Sequence, residues 1–210
     1  MRLWPGFVSI VGVTAPRSRA EQKQYTRALI VDAGRRAVAA RGFSGLVVRE
    51  LAREAGIVPT AFYRHFDSVD ALATELATGA ADTLALLVDT LVGDPTEDPA
   101  GTWPALAEKL AAENPQTWSV LARGLVDTAH PDHRVLMAAS DTARRRLGIS
   151  LGRLDALSGA DGAMVDVAAD LVVVVLIGHL NALAGGADPR AASEDCSARL
   201  RLILAGAAAS

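Results

Sequence analysis

Residues 48–66 read VRELAREAGIVPTAFYRHF, the pattern of two short helices joined by a tight turn. In the first segment Leu51 and Ala55 share one side and charged residues occupy the other, the spacing of an amphipathic helix. Gly56 predicts its end, because glycine readily adopts the left-handed conformation needed just past a helix. Pro59 suits the first turn of a second helix, where a missing N–H costs no hydrogen bond. The stretch therefore predicts a helix-turn-helix, a motif whose second helix enters the DNA major groove.

The same residues resemble the DNA-binding domain of the tetracycline-repressor (TetR) family of bacterial transcription regulators. The resemblance begins near Tyr25, passes through Arg41-Gly42-Phe43 and closes in the next helix, covering roughly the first third of the chain. Within the family, AGIVPTAFYRHF at 55–66 followed by VDAL at 69–72 looks most like the subgroup that represses fatty-acid synthesis and desaturation genes. The resemblance implies an all-α regulator that binds an operator in double-stranded DNA.

The residues of the second helix divide by expected direction. Phe62 and Phe66 are four residues apart and are predicted to face the core, which turns Tyr63 and its neighbours toward DNA. By resemblance, Thr60 and Ala61 meet base edges, whereas Tyr63 and His65 donate to phosphates. Arg49 and Arg64 are candidate phosphate clamps. For each residue alone the alternative is a solvated surface side chain. The predicted DNA-binding set is Arg49, Thr60, Ala61, Tyr63, Arg64 and His65.

Two positions depart from the common family pattern. Val47 stands where a Thr or Ser often caps a helix and touches phosphate, and Val69 stands where a Lys often touches phosphate. We therefore expect fewer backbone contacts, with weaker affinity or compensation by Arg41 and Arg53. The same loss supports an alternative function, a small-molecule-binding protein or enzyme of this fold that no longer binds DNA.

Charge is unevenly distributed along the chain. Residues 17–66 hold ten Lys or Arg and four Asp or Glu, a net charge of +6, whereas residues 67–210 hold ten and twenty, a net charge of −10. A basic head on an acidic body is typical of a domain that meets phosphates joined to one that does not. Chance clustering of solvated helix faces is the alternative.

Cysteine usage and enzyme motifs narrow the function classes. The single cysteine, Cys196, excludes a disulfide framework and a Cys-based zinc site within one chain, and it fits a reducing cytoplasm. The chain has no P-loop, GxSxG or HExxH motif, so we expect neither an enzyme nor a bound metal or cofactor. The spacing of His130 and His133, with Asp127 and Asp132, is compatible with metal ligands. Pro131 lies between the two histidines, however, and favours the interpretation that these residues form a turn between helices.

The pattern predicts about nine helices in three segments. Residues 1–20 form a flexible arm whose Arg17 and Arg19 could reach DNA, although a loose tail is the simpler interpretation. Residues 21–67 form the helix-turn-helix domain, and residues 68–210 form a ligand-binding and dimerisation domain. A helix starting near Ser68 is expected to join the last two segments. The first helix is expected at about 21–41, and the second helix of the motif is expected to continue over 60–66. Helices after the joining helix are expected at about 102–113, 115–129 and 132–157.

The last two helices, predicted at 164–184 and 191–207, are the expected homodimer surface. In the first, an apolar stripe at helical spacing runs along Val167, Leu171, Val174, Gly178 and Ala182. In the second, one face carries Leu200, Ile203, Leu204 and Ala207. The uninterrupted apolar run is shorter than the ~20 residues a bilayer requires, so no membrane span is expected. The family resemblance implies a four-helix bundle between two chains.

A ligand pocket is expected in the second domain, because TetR-like regulators bind their effector there. Its apolar candidates are Trp103, Trp118, Leu121, Leu125, Met137 and Val174, and its polar candidates are Arg123, His179 and Asn181. Each alone is as easily explained as plain core or surface. A pocket of this composition, with the fatty-acid resemblance of the head, suggests a fatty acyl thioester such as acyl-CoA, with Arg123 or Arg144-Arg145-Arg146 near its phosphates. A DNA-binding protein without an effector is a further alternative.

Overall fold

The computed structural model describes residues 18–93, 96–112 and 115–210, and over these residues it contains nine α-helices and no strand. The predicted all-α fold is therefore confirmed. The chain divides into two compact units, with the division after Leu76. That point lies inside the helix predicted to join the domains, rather than at residue 68, where the sequence pattern places the start of the second domain.

The first unit contains three complete helices and the start of a fourth. Helix α1 spans Arg19–Arg41, α2 spans Val48–Glu54, α3 spans Pro59–Phe62, and α4, Val69–Val92, begins here and continues into the second unit. A 3-10 turn at Phe43–Gly45 separates α1 from α2. The helix-turn-helix predicted over residues 48–66 is thus present as α2 and α3.

Helix α1 begins earlier than predicted. Ser18 caps it: its hydroxyl accepts from the Glu21 N–H at 3.1 Å, and the Glu21 carboxylate accepts from the Ser18 N–H at 2.9 Å. This reciprocal pair satisfies two donors that a helix start otherwise leaves unpaired. Residues 18–20 of the predicted arm therefore belong to the cap and first turn of α1. Residues 1–17, including Arg17, lie outside the described residues.

The turn between α2 and α3 forms as the sequence predicts. Gly56 has φ +70°, in the left-handed region. Its N–H donates to the Arg53 carbonyl at 3.3 Å, and the Ile57 N–H donates to the Ala52 carbonyl at 2.9 Å. These two bonds make a Schellman motif, which satisfies carbonyls left free at the helix end. Pro59 then occupies the first turn of α3.

Helix α3 is shorter than the predicted 60–66. Its regular part ends at Phe62, and turns follow in which the Arg64 N–H donates to the Ala61 carbonyl at 3.1 Å and the Phe66 N–H to the Phe62 carbonyl at 3.1 Å. Phe62 and Phe66 are nonetheless both buried, with ring centroids 5.7 Å apart. The predicted inward direction of these two rings is confirmed.

Close packing of α1 on the start of α4 completes the first core. A Cβ on Gly34 would lie 3.1 Å from Leu76 and 3.3 Å from Leu72, so the missing side chain permits this approach. Arg27 of α1 pairs with Glu75 of α4 through both guanidinium nitrogens, and its guanidinium lies 4.5 Å from the centre of the Phe66 ring. One side chain thus joins α1, α4 and the end of the α3 turn.

The second unit is built around one central helix. Besides the rest of α4 it contains α5 (Pro99–Ala111), α6 (Gln116–Val126), α7 (His133–Leu151), α8 (Gly162–Ala184) and α9 (Pro189–Ala208). Helix α8 packs against α5, α6, α7 and α9. Its buried residues Val172, Val173, Leu176 and Leu180 form much of this core.

Several helix boundaries in this unit differ from the sequence expectation. The pattern places the start of α5 at residue 102, with Pro99 as a breaker, but Pro99 is in the first turn and the Asp98 carboxylate accepts from the Gly101 N–H at 3.0 Å. Helix α7 was expected to reach residue 157 and ends at Leu151, before Gly152 and a short 3-10 turn. Pro99 lies just inside the start of α5, and Gly152 lies just past the end of α7. A proline or glycine thus marks a helix boundary, but whether it lies inside or outside the helix depends on its position relative to the cap.

The two faces of α8 and α9 are used differently. All five residues of the predicted α8 stripe are exposed, namely Val167, Leu171, Val174, Gly178 and Ala182. In α9, however, Leu200 and Ala207 are buried within the chain, so they do not belong to an outer surface. Leu202 is the large apolar side chain of α9 that is exposed, at 75 %. Of the α9 face expected for dimerisation, Leu200 and Ala207 thus belong to the core, whereas Ile203 and Leu204 are half-buried.

By length and composition alone, α4 and α8 are each apolar enough to cross a bilayer. The length of the uninterrupted apolar run is thus not sufficient to distinguish α8 from a membrane helix. About half of the apolar window of each helix is buried within the protein, as is usual for core helices of helical domains.

We predict that Gly56→Ala destabilises the first unit by about 1 kcal/mol, because a side chain is disfavoured in the left-handed region. Chemical denaturation followed by circular dichroism measures this. The matched control is Gly79→Ala inside α4, where nothing lies within 4 Å of the added Cβ; it should stabilise by about 0.5–1 kcal/mol. Equal effects of the two substitutions would contradict the assigned role of Gly56.

Candidate DNA-binding surface

The α3 segment has one buried side and one exposed side. Thr60 and Arg64 are exposed, Tyr63 is 57 % exposed, and Ala61 is half-buried. Burial of Phe62 fixes the rotation of the segment, and the Tyr63 ring packs edge-on against Phe62 with centroids 5.4 Å apart. The side chains predicted to meet DNA therefore share the outer side, with Tyr63 held by its neighbour rather than free to rotate.

The cations of the first unit fall into two groups. Arg27, Arg36 and Arg41 are held in ion pairs: Arg27 with Glu75, Arg36 with Asp32 and Glu54, and Arg41 with Glu50. In the described part of the first unit, residues 18–76, the exposed cations that make no ion pair are Arg19, Lys23, Arg49, Arg53 and Arg64, whereas Arg35 is half-buried. The second group is available for phosphates.

This division corrects one sequence expectation and adds a residue. Arg41 was expected to compensate for missing phosphate contacts, but it also donates to the Gly45 carbonyl at 3.1 Å and so is part of the α1–α2 connection. Arg53 remains exposed. Lys23 was missed, because it lies outside the helix-turn-helix motif and only the folded unit brings it close enough to influence His65 electrostatically.

His65 is more enclosed than the phosphate-contact prediction assumes. It is half-buried, and its Nδ1 is buried without a hydrogen-bond partner among the described residues. Desolvation lowers the pKa of His65, and the positive charges of Lys23, Arg27 and Arg64 lower it further. The imidazole is therefore favoured in its neutral form, and any contact it makes with phosphate lacks a formal positive charge.

The two departures from the family pattern are visible at the helix starts. Val47 precedes α2, is 46 % exposed and provides no side-chain cap. At the start of α4, Ser68 provides the cap, accepting from the Ala71 N–H at 3.0 Å, while Val69 is half-buried. Neither valine offers a hydrogen-bond donor to a phosphate.

The nine residues predicted to line a ligand pocket differ in burial. Trp103, Trp118 and Leu121 are buried core residues of α5 and α6. His179 is buried on α8, where its Nε2 lies 2.9 Å from the Glu108 carboxylate. Leu125 and Asn181 are half-buried and Arg123 is exposed. Met137 and Val174 are 38 % and 65 % exposed, so their assignment to an interior pocket was wrong.

Two cavities of the second unit are lined by other residues. A groove of about 300 Å³ between α4 and α7 is lined by five alanines and Val88, together with three polar or charged residues. The lining is Ala81, Asp82, Ala85, Val88, Ala138, Ala139, Thr142, Ala143 and Arg146. A polar cavity of about 180 Å³ between α7 and α8 is lined by Asp141, Arg144, Arg145, Asp166 and Asp170. The nine predicted ligand residues line neither of these two. Alanines at a spacing of four on α4 were the sequence signal for the groove, but they read equally well as core.

The arginine cluster considered for a phosphate-bearing ligand is already engaged. Arg144 donates to Asp170 at 2.8 Å and also pairs with Asp141, and Arg146 pairs with Asp89 of α4.

The histidines near Pro131 have partners close in sequence. His133 Nδ1 lies 2.8 Å from the Gly124 carbonyl, and His130 Nδ1 accepts from the Asp132 N–H at 3.3 Å, which is turn chemistry.

Comparison with known proteins relates the first unit to one family. Residues 30–76 match the model of the bacterial regulatory proteins of the tetR family. An uncharacterised helix-turn-helix transcriptional regulator from Haemophilus influenzae is 48 % identical over 71 residues, 33 % of this chain. The match spans 35 % of that relative's length.

Solved structures extend the likeness to the fold of the chain. A putative transcriptional regulator from Pseudomonas aeruginosa PAO1 has a TM-score of 0.63 at 24 % identity, covering 91 % of this chain and 95 % of that one. The TetR-family regulator PfmR from Thermus thermophilus has a TM-score of 0.61 at 19 % identity, covering 91 % and 97 %. The family model thus relates residues 30–76 to the tetR-family regulators, and the solved structures show that the chain has the same fold as these two proteins.

We predict that the first unit loses stability as the pH falls below about 6.5, the ordinary pKa of histidine. The pKa of His65 is lower in the folded chain than in the unfolded one, so the unfolded chain binds more protons in this window and is favoured. Denaturant midpoints between pH 5 and 8, for the native chain and for His65→Gln, measure this. The substitution should flatten the slope around pH 6, and an unchanged slope would contradict the assignment.

Proposed function

We propose that the chain is a transcriptional repressor that binds a palindromic operator in double-stranded DNA as a homodimer. Binding of an apolar small molecule increases or decreases its affinity for this operator. The observation that carries the proposal is the outer side of the α3 segment. Thr60, Tyr63 and Arg64 are exposed there opposite two buried phenylalanines, as groove-reading requires. Such a protein acts in the cytoplasm, where its operator lies.

Electrostatics supports the same surface. Lys23, Arg49, Arg53 and Arg64 are exposed and have no ion pair among the described residues, although carboxylates occur in the same unit. Cations that have no partner in the free protein can neutralise phosphates and release counterions from the DNA without breaking an ion pair within the protein. Binding should therefore weaken steeply with salt.

The alternative function is a small-molecule-binding protein or enzyme of this fold that has lost DNA binding. Its support is the valine at positions 47 and 69, which removes two potential phosphate donors. A gel shift with the DNA upstream of the protein's own coding sequence separates the two functions. A shift that decreases with salt supports the repressor, and the absence of any shift at low salt supports the alternative.

We predict different effects for two substitutions on the exposed side of α3. Tyr63→Phe should weaken binding to all sequences similarly, because it removes a phosphate donor, whereas Thr60→Ala should change which sequence is preferred. Binding selections from random duplexes, with affinities for the selected and a scrambled sequence, measure both. A shift in preference for Tyr63→Phe but not for Thr60→Ala would show that the assigned directions are reversed.

Dimerisation through α8 is supported by the exposed stripe Val167, Leu171 and Val174, continued by Gly178 and Ala182. Exposed apolar side chains in one row favour burial against a second copy, and small residues beyond them permit close helix approach. From α9, Leu202 is the exposed apolar contributor. A dimer of this kind would bind half-sites about 34–36 Å apart, or at a related spacing.

We predict that Val174→Asp produces a monomer, because a carboxylate in the centre of the stripe would be buried without a partner. Analytical ultracentrifugation at micromolar concentration measures the state, and operator affinity should decrease with it. The matched control is Val126→Asp on α6, since Val126 is 77 % exposed and lies off the stripe. A dimeric Val174→Asp variant would exclude this interface.

A fatty acyl thioester is the leading effector in this proposal. The groove between α4 and α7 supports a narrow apolar ligand, because its walls are mainly alanine and its volume is about 300 Å³, within the range of small-molecule sites. Helix α4 runs from this unit into the first, so a ligand with different affinities for two positions of α4 would change operator binding. The fatty-acid resemblance of the head supports the same ligand class.

We predict that acyl-CoA binds and that the affinity increases with chain length until the groove is full. Calorimetry with several chain lengths, with and without operator DNA, tests binding and coupling. Enlarging the groove wall with Ala85→Leu should weaken the longest chains most, whereas Leu86→Ala on the neighbouring exposed position should not. Absence of binding at any length removes the ligand, and binding without a change in operator affinity removes the coupling.

A further inference from the structure

One exposed apolar side chain on the DNA-facing unit has no explanation in the free protein. Val58 lies directly before α3 and is 64 % exposed, more than Val47 or Tyr63 in the same unit. Ser, Thr, Asp or Asn at this position would cap the helix, and Val58 provides no side-chain cap. The position thus exchanges a helix-stabilising group for an apolar one in water.

The location of Val58 relates it to the base-reading side chains. It follows the Gly56 turn, has an extended backbone with φ −79° and ψ 148°, and is separated from Thr60 only by Pro59. In helix-turn-helix proteins the leading residues of the second helix contact base edges, while the first helix crosses the backbone. Val47, which precedes the first helix, is therefore placed at phosphates, and Val58 is placed at bases.

The major groove offers one apolar group to such a side chain. Of the four bases, thymine alone presents a methyl group there, at C5, beside the hydrogen-bond donors and acceptors of the base edges. Valine can neither donate nor accept a hydrogen bond through its side chain, so polar edges facing it would lose water without replacement. The occupant that matches Val58 is a thymine.

We infer that Val58 is a specificity-determining residue that packs against the C5-methyl group of one thymine in each half-site, an inference that rests on the proposed DNA binding. Apolar contact between the valine methyls and the thymine methyl is made only in the complex. Val58 thereby adds one base position to those assigned to Thr60 and Ala61.

Replacement of thymine by uracil tests the contact, because it removes the methyl group and leaves the hydrogen-bonding edge unchanged. The probe is the duplex that the wild-type chain enriches from a random-sequence library, resynthesised with uracil at each thymine in turn. At one symmetric position the wild type should bind about four-fold more weakly per substituted half-site, the effect of one buried methyl. Val58→Ala should bind the thymine duplex correspondingly more weakly and show no discrimination there.

Two variants control the experiment. Val58→Ile keeps an apolar side chain and should keep the preference for thymine. Val47→Ala should also keep this preference, because Val47 likewise provides no side-chain cap but is placed at the phosphates rather than at the bases. If enrichment is normal and no uracil penalty disappears in Val58→Ala, this inference is wrong while the proposed function stands. If the wild type enriches no duplex at low salt, the proposed function fails and the inference fails with it.

Discussion

Burial of Phe62 and Phe66 is the constraint on which the candidate DNA-binding surface depends. The two rings stack with centroids 5.7 Å apart and are almost inaccessible, so α3 cannot rotate about its axis without exposing them. Because α3 has a single regular turn, its own hydrogen bonds contribute little rigidity. The aromatic anchor and the Gly56 turn therefore hold the segment that presents Thr60 and Tyr63.

A second layer supports this anchor through charge. Arg27 lies against the face of Phe66 while both of its terminal nitrogens bind Glu75, so a cation that could have met phosphate stabilises the fold of the first unit. Arg36 and Arg41 serve similar structural roles between α1 and α2. The net positive charge of residues 17–66 therefore overstates the number of cations that are free of ion pairs, because these three arginines are counted in it.

In the second unit, the apolar residues of α8 lie in two different environments. One side of α8 packs against four other helices, and the other carries Val167, Leu171 and Val174 into solvent. A helix that is apolar all round reads from sequence as a core or a membrane segment. Only the positions of its neighbours distinguish the side that is buried within the chain from the side that stays exposed.

Much of the first unit was determined by sequence alone, because its signals are local. Glycine at a helix end, proline in a first turn and phenylalanines four apart each act within a few residues, and the turn, the start of α3 and the burial of both rings followed from them. The interior pocket was not predictable in this way. Val174 and Met137 share their apolar character with buried neighbours, and Arg41 is as basic as Arg53, so composition could not separate them. Tertiary structure decided which of these side chains meet a partner within the chain, since burial and ion pairing depend on residues distant in sequence.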